Sequence, residues 1–415
     1  MEVRIQKMSF DGLGIGFVGS KKIYFPGVFV GEKIKIKKII KKKKRLIASE
    51  FEILEPAKFR IAPRCPYFGK CGGCLFQFLP YSYQLAFKKA KLKKVFNKKI
   101  ILIPSPKIYG YRSKIDIIID KKGIGFRKRG SWKDVVEIEE CPLFGKNSSR
   151  AILSLRRLIK NEKLEPWSVE THKGNLRYLV LREAKFTDQF LVNIVAFSDK
   201  YPTNLEQYFP YATSIYWSQN NTLSDVSFGR PIAHFKDEFL KEKILGVEYF
   251  IHPNSFFQSN PYQLRKLLKI VEEFIKGEKI LDLYCGIGTF AIYLAKKGLK
   301  VFGVELVKES ILMAKLNAMV NQVKAEFEVK KAEDVDYFKY DTVILDPPRA
   351  GLHPKLIKKL NQEKVPNLIY VSCNLKNLKR DLELLSSYQI KKVIALDMFP
   401  QTPELETVVQ LQGKK

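Results

Sequence analysis

The chain has 415 residues, too many for one ordinary core and enough for two or three domains that each bury an apolar interior. Its 74 Lys+Arg against 43 Asp+Glu leave a formal net charge of +31. Such an excess repels itself unless much of the surface faces a polyanion, so nucleic acid is the first partner to consider and an anionic membrane the second. The N-terminus lacks an unbroken apolar signal core, and no stretch offers the roughly 18 apolar residues that span a bilayer. The expected location is therefore the cytoplasm, with neither a membrane nor an obligate protein partner. Six cysteines, three of them within residues 65–74, suit ligands and catalysts in a reducing compartment better than a disulfide framework.

Residues 1–56 alternate apolar and polar side chains in short runs punctuated by glycines, which predicts a small antiparallel OB-like β-barrel. The run Lys41-Lys42-Lys43-Lys44-Arg45 lies between the strand-like segments IKIKKII and LIASEFEIL. It reads equally as a solvated hairpin tip or as an RNA contact.

Residues 57–250 mix strands (IDIIID, YLVLREA, FLVNIVAF) with a helix in SSRAILSLRRLIKN, as expected of a central α+β domain. The domain opens on Cys65, Cys71 and Cys74, to which Cys141 adds a fourth soft thiolate. Four such ligands suit zinc or an iron–sulfur cluster, and structural zinc is the commoner occupant. The basic helical segment QLAFKKAKLKKVF is expected to pack on a neighbouring domain.

From 251 to 415 strands and helices alternate from KILDLYC to ELETVVQLQ, the βαβ pattern of a doubly wound α/β, Rossmann-like sheet with ligands at the carboxyl ends of its strands. Asp282-Leu-Tyr-Cys-Gly286-Ile-Gly288-Thr289 turns from the first strand into a helix. The next strand ends in Glu305, placed to accept ribose hydroxyls. A dehydrogenase would share these features, but the fourth strand ends in Asp346-Pro347-Pro348-Arg349, which resembles class I S-adenosylmethionine methyltransferases acting on nucleic acid. The fifth strand delivers Cys373. C5 of uracil is a poor nucleophile, so methylation there needs a thiolate at C6 and afterwards a base for the C5 proton. Glu404 and Glu406 are both available for the second task.

The motifs SFFQSN at 255–260, DLYCGIGTF at 282–290, Glu305, DPPRAGL at 346–352, VSCN at 371–374 with Arg380-Asp381, and DMFP at 397–400 occur in order across the whole catalytic domain. In these the chain resembles the RNA 5-methyluridine methyltransferase family, in particular its iron–sulfur, TRAM-containing branch. The resemblance implies S-adenosylmethionine as cofactor, Cys373 as nucleophile and Glu406 as general base. It further implies Gln258 and Asp346 at the uracil and cofactor, Tyr284, Gly286, Gly288, Thr289 and Glu305 at S-adenosylmethionine, and Phe256 stacking on a flipped base. Cys65, Cys71, Cys74 and Cys141 would hold a 4Fe-4S cluster, and the first barrel would be a TRAM RNA-binding domain. Leu375 replaces a usual proline, Thr289 a usual asparagine, and Gln401 and Glu404 usual histidines. The expected substrate is 23S rRNA, with tRNA as the alternative. Two rival readings fit less well: a non-catalytic RNA-binding iron–sulfur protein, which retention of Cys373, Glu406 and Asp346 disfavours, and a DNA cytosine-C5 methyltransferase, whose cysteine follows the fourth strand rather than the fifth.

Overall fold

The computed structural model describes residues 1–414. Its N-terminal sheet has six strands, in the order Glu2–Arg4, Lys33–Lys42, Arg45–Glu55, Lys21–Phe25, Gly14–Val18 and Lys7–Met8. Two-residue alternation in Lys33–Lys42 sends Ile34 and Ile36 into a core with Val3, Ile23 and Phe25, while Lys35 and Lys37 face solvent. The long antiparallel hairpin of Lys33–Lys42 and Arg45–Glu55 carries the basic run at its tip. There Lys41 to Lys44 are exposed, whereas Arg45 pairs with Asp11 at 2.6 Å.

A second, seven-stranded sheet is built from Lys114–Asp120 to Arg230–Lys236, and the helix Asn147–Asn161 buries Ala151, Ile152, Leu155 and Leu158 in its core. The spacing of those four residues is that of one helical face. Residues 80–104 do not join this sheet. The helix Tyr81–Phe96 leads into Ile101–Ile103, which pairs in parallel with Tyr388–Leu396 and so becomes the outer strand of the C-terminal sheet. The basic helix thus lies against a neighbouring domain.

The C-terminal sheet has eight strands in the order Ala325–Val329, Lys300–Glu305, Lys279–Leu283, Thr342–Leu345, Asn367–Ser372, Glu406–Gly413, Tyr388–Leu396 and Ile101–Ile103. The first five run parallel, and Glu406–Gly413 runs antiparallel to both of its neighbours. Segments such as Thr342–Leu345 are buried throughout, because helices cover both faces of a parallel sheet. Strand order reverses between Lys279–Leu283 and Thr342–Leu345, which opens a crevice beyond their carboxyl ends.

One ion pair ties the helix Tyr81–Phe96 to this sheet. Lys88 Nζ lies 2.5 Å from Asp397 Oδ1 with both side chains wholly buried, and it also donates to the Phe399 carbonyl at 3.0 Å. Burial pushes the Lys88 ammonium below its ordinary pKa, and Asp397 opposes that shift. Breaking such a pair from one side strands a charge in a low dielectric, so Lys88→Met is expected to cost about 3–5 kcal/mol in denaturant unfolding of the C-terminal unit. Adding Asp397→Leu should recover most of that loss; a single-variant cost below about 1 kcal/mol would show the pair to be dispensable.

Candidate active site

The first strand of the parallel sheet ends at Leu283, and the chain turns through Tyr284 to Gly288 into the helix Thr289–Ala295. Gly288 has φ +83°, and a Cβ there would meet the Ile292 side chain at 2.7 Å, so both backbone conformation and space demand glycine. Beneath the loop Asp282 is buried, and its Oδ2 accepts from the Ala291 N–H at 3.1 Å. Burial, then Asp346 and Glu305, hold its carboxyl well above the usual range. Glu305 Oε1 accepts from the Leu306 and Val307 N–H groups at 2.7 and 3.1 Å, which fixes the carboxylate at the strand end. Between these elements lies a cavity of about 530 Å³ lined by Tyr284, Glu305, Ala332, Pro348, Leu352 and Ile357. Thr289 does not line this cavity; its carbonyl accepts the hydroxyl of the buried Tyr249 at 2.9 Å.

Asp346 begins the turn after Thr342–Leu345, and Gln258 Nε2 approaches its Oδ2 at 3.4 Å. Burial pushes the Asp346 carboxyl up to about 7. The central domain positions Gln258: Ser113 donates its N–H to the Ser259 carbonyl, and Arg182 donates to the carbonyls of Pro253 and Ser255. Phe256, two residues earlier, is 68% exposed. On the other side, Arg380 Nη2 donates to the Ala350 carbonyl at 3.0 Å, and Asp381 Oδ2 accepts from the Leu352 N–H at 2.8 Å and the Tyr370 hydroxyl at 2.6 Å. Gly351 (φ +83°) lies so near Asp381 that an added Cβ would stand 2.4 Å from Oδ2. The sequence motifs Asp346–Leu352 and Arg380-Asp381 are therefore one structural unit.

Cys373 follows Asn367–Ser372 at the same edge of the sheet. Asn374 then caps the helix Leu375–Leu384, its side chain accepting from the Lys376 N–H at 3.2 Å. Leu375 is the first helical residue, where proline is also at home, and it is buried; exchange of the two keeps the turn. Glu406 opens the strand beside Cys373's own, with Ser372 opposite Thr407. Glu406 is buried and held well above the usual carboxylate range by burial and by Asp346, with Arg349 opposing. The Cys373 thiol is pushed up to about 12 by burial, then by Glu406, again opposed by Arg349. Glu404 instead pairs with Arg349 at 3.1 Å. Of the two candidate bases, Glu406 is the one buried beside the thiol.

Away from this cleft, Cys65, Cys71, Cys74 and Cys141 are free thiols, each pushed up first by burial. Cys74 reaches about 12, raised further by Cys141, Cys71 and Cys65, so the four sense one another across separate chain segments. Two buried donors nearby, Gln77 Nε2 and Arg112 Nε, have no protein acceptor. Gln77 faces Cys74, while Arg112 acts electrostatically on Cys71 and Cys141. Four soft thiols with two unsatisfied donors fit an anionic thiolate-ligated group. Among the described residues no three His, Cys, Asp or Glu side chains gather closely enough to chelate a single ion.

Several residues that sequence reasoning did not single out complete the site. Arg349 is the cation facing Cys373 and Glu406. Lys91 Nζ donates to the Pro403 carbonyl at 2.6 Å, Tyr111 to Pro400 at 3.0 Å and Asn260 Nδ2 to Met398 at 3.1 Å, fastening the loop that precedes Glu406. Arg349 was discoverable from its place after the paired prolines. The partners of a loop 138 to 312 residues away in sequence leave no local signal.

Two family models match the chain, one described as tRNA (Uracil-5-)-methyltransferase over residues 232–326 and 319–414, the other as the TRAM domain of tRNA (uracil(54)-C(5))-methyltransferase over residues 1–59. A Pyrococcus furiosus protein named tRNA (uracil(54)-C(5))-methyltransferase is 47% identical over 98% of each chain. Another from the same organism, named 23S rRNA (uracil(747)-C(5))-methyltransferase, is 40% identical over 98% of each. The crystal structure of Pyrococcus abyssi tRNA (uracil-54, C5)-methyltransferase in complex with S-adenosyl-L-homocysteine superposes with a TM-score of 0.91 at 44% identity, covering 99% of both chains.

The electrostatics make a prediction about Cys373 itself. Alkylation mapped by mass spectrometry should be slower at Cys373 than at a free thiol near about pH 8 and should still be rising above about pH 10. Glu406→Gln removes the largest electrostatic contribution and should speed the reaction. Fast alkylation at neutral pH, unaffected by Glu406→Gln, would contradict the described cleft.

Proposed function

From the premise that this chain belongs to the TRAM-bearing family of RNA uracil-C5 methyltransferases, we propose that its substrate is tRNA and its target uridine 54. The enzyme catalyses S-adenosylmethionine-dependent methylation of uracil C5 in RNA. The observation that carries the choice of tRNA is the end-to-end identity of 47% to tRNA enzymes, against 40% to a protein named for 23S rRNA. The sequence-based expectation of 23S rRNA gives way to it.

S-adenosylmethionine supplies an electrophilic methyl group on a sulfonium. Glu305 and Tyr284, which line the 530 Å³ cavity, would hold it together with the adjacent turn through Gly286, Gly288 and Thr289, with Gln258 and Asp346 reaching both cofactor and uracil. Phe256, exposed beside Gln258, would stack on the extruded base. Cys373 loses its proton through the ionised member of the Asp346–Glu406 pair to solvent, and its sulfur bonds to C6. The C5=C6 electrons move into an enolate, and C5 takes the methyl group as the S–CH3 bond breaks and its electron pair returns to sulfur, leaving the neutral thioether S-adenosyl-L-homocysteine. Glu406 removes the C5 proton, the double bond re-forms, and the Cys373–C6 bond breaks to return the thiolate, which regains a proton from solvent. Arg349 keeps the thiolate and carboxylate tolerable in one buried site.

The four cysteines are assigned to a 4Fe-4S cluster. The mutual electrostatic influence of the four thiols and the two unsatisfied donors beside them support that assignment. Methyl transfer moves no electrons, so its role is structural. We assign residues 1–56, 57–250 and 251–415 to three domains, with Tyr81–Phe96 and Ile101–Ile103 lent by the middle one to the catalytic sheet.

Tritium at uracil C5 of a tRNA transcript should be released on adding protein and S-adenosylmethionine, and replacing uridine 54 by cytidine should abolish release. Release from 23S rRNA fragments alone would overturn the assignment. Cys373→Ala should release none, and Glu406→Gln should accumulate covalent protein–RNA adduct. Because Asp346 sits near 7 and is neutral below that value, kcat/KM should rise roughly tenfold from about pH 6 to about pH 8; a rate falling over that interval would exclude a carboxylate proton acceptor. Anaerobically purified protein should carry about four irons per chain and lose them in Cys74→Ser; stoichiometric zinc would displace the cluster assignment.

A further inference from the structure

The loop that leads into Glu406, the first residue of its strand, is fastened to the cysteine-bearing segment at Gln401. It has φ +68°, in the left-handed region that side-chain-bearing residues rarely adopt, and it is buried. Four hydrogen bonds hold it there. Its N–H donates to Gln84 Oε1 at 2.9 Å, and Gln84 Nε2 returns a bond to Gln401 Oε1 at 2.9 Å. Its carbonyl accepts from the Leu75 and Phe76 N–H groups at 2.9 and 3.0 Å, immediately after Cys74. Gln84, on the helix Tyr81–Phe96, also donates to the carbonyls of Phe76 and Leu79 at 3.2 and 3.0 Å. One buried amide therefore joins the cysteine-bearing segment, the helix and the loop.

From Gln401 the constraint runs on toward the base. Thr402 Oγ1 donates to the Phe399 carbonyl at 2.8 Å and accepts from the Glu404 N–H at 3.2 Å, Lys91 holds the Pro403 carbonyl, and Leu405 is buried. The contacts of Thr402, Pro403 and Leu405 connect Gln401 to the start of the strand that Glu406 opens. A buried amide pair also has a strong directional preference, since each unmet donor or acceptor costs its full desolvation.

We infer that Gln84 and Gln401 are positioning residues for the elimination step: their reciprocal amide bonds register the Glu406 loop against the cysteine-bearing segment and set the carboxyl where the C5 proton is presented. The inference rests on the assignment of Glu406 as base. It separates the steps of the reaction, because Cys373 and the cofactor cavity are anchored on other elements, Asn367–Ser372 with Asn374 and the strand ends at Leu283 and Glu305. Loss of the amide pair should therefore slow removal of the C5 proton and leave addition and methylation nearly intact.

Gln84→Met preserves length and removes all four side-chain bonds of Gln84, whereas Gln401→Met removes only the acceptor at Oε1 and keeps the backbone bonds. In single-turnover reactions of the full chain with labelled S-adenosylmethionine and tRNA transcript, Gln84→Met should methylate at a rate within about twofold of the parent. Its methylated covalent adduct should decay on the order of 10- to 100-fold more slowly and accumulate as a retarded band, the scale of loss expected from misplacing a reacting group by an ångström. Gln401→Met should show the same effect to a smaller degree, and serves as the reading if Gln84→Met does not fold. Binding of S-adenosyl-L-homocysteine, measured by calorimetry, should be unchanged in both. Equal slowing of methylation and adduct decay, with no accumulated adduct in either variant, would overturn the inference. Glu406→Gln run alongside tells the two claims apart: if it traps adduct and the glutamine variants do not, the positioning role fails alone; if it traps none, the base assignment fails first.

Discussion

Everything in the catalytic cleft follows from placing two carboxyls and a thiol in one poorly solvated space. Asp346, Glu406 and Cys373 stand at the ends of neighbouring strands, and each is pushed toward its neutral form chiefly by loss of water. Asp282 beneath them is raised the same way. Against this stands Arg349, which opposes the shifts of both Cys373 and Glu406 and is itself shared with Glu404. Groups raised in this way hold their protons more tightly than exposed ones do, an environment that suits the proposed acid, base and nucleophilic steps near neutral pH.

Holding such groups together requires a rigid frame, and three units of the chain supply it. The C-terminal sheet fixes strand ends. The central sheet, through Ser113 and Arg182, fixes the loop that brings Gln258 to Asp346. The helix Tyr81–Phe96 fixes the loop before Glu406 by a buried ion pair, a lysine on a carbonyl and an amide pair. The last of these lies next to the cysteine-bearing segment, so a group bound by the four thiols would stiffen the catalytic loop without entering the cleft. This gives the cysteines a mechanical place in an enzyme whose reaction transfers no electrons.

Much of this was legible in the amino-acid sequence because the informative features are local. Strand-length apolar runs ending in Asp282, Glu305, Asp346 and Cys373 announced both the doubly wound sheet and the edge at which its chemistry gathers. Glu406 was singled out over Glu404 only through the family resemblance; the physical difference between them lies in the antiparallel register of Glu406–Gly413 against Asn367–Ser372, which buries one glutamate and leaves the other to Arg349. The role of Tyr81–Phe96 was legible only as a basic helix that would lie on a neighbour. Its partners Asp397, Gln401 and Pro403 lie at a sequence separation of about three hundred residues, where periodicity carries no information. Two of the departures from the family pattern have a physical account, with Leu375 at a position suited to proline and Gln401 in a buried amide pair.

In the proposed mechanism Cys373 bonds to C6 of a tRNA uridine, and a proton must then leave C5. That mechanism is tested most directly with tRNA carrying 5-fluorouridine, because fluorine cannot depart from C5 as a proton does. After incubation with S-adenosylmethionine, nuclease and protease digestion, mass spectrometry should find a methylated fluorouridine bonded to the peptide that contains Cys373, at position 54 of the tRNA. An adduct on another residue, or methylated RNA with no adduct at all, would contradict the account.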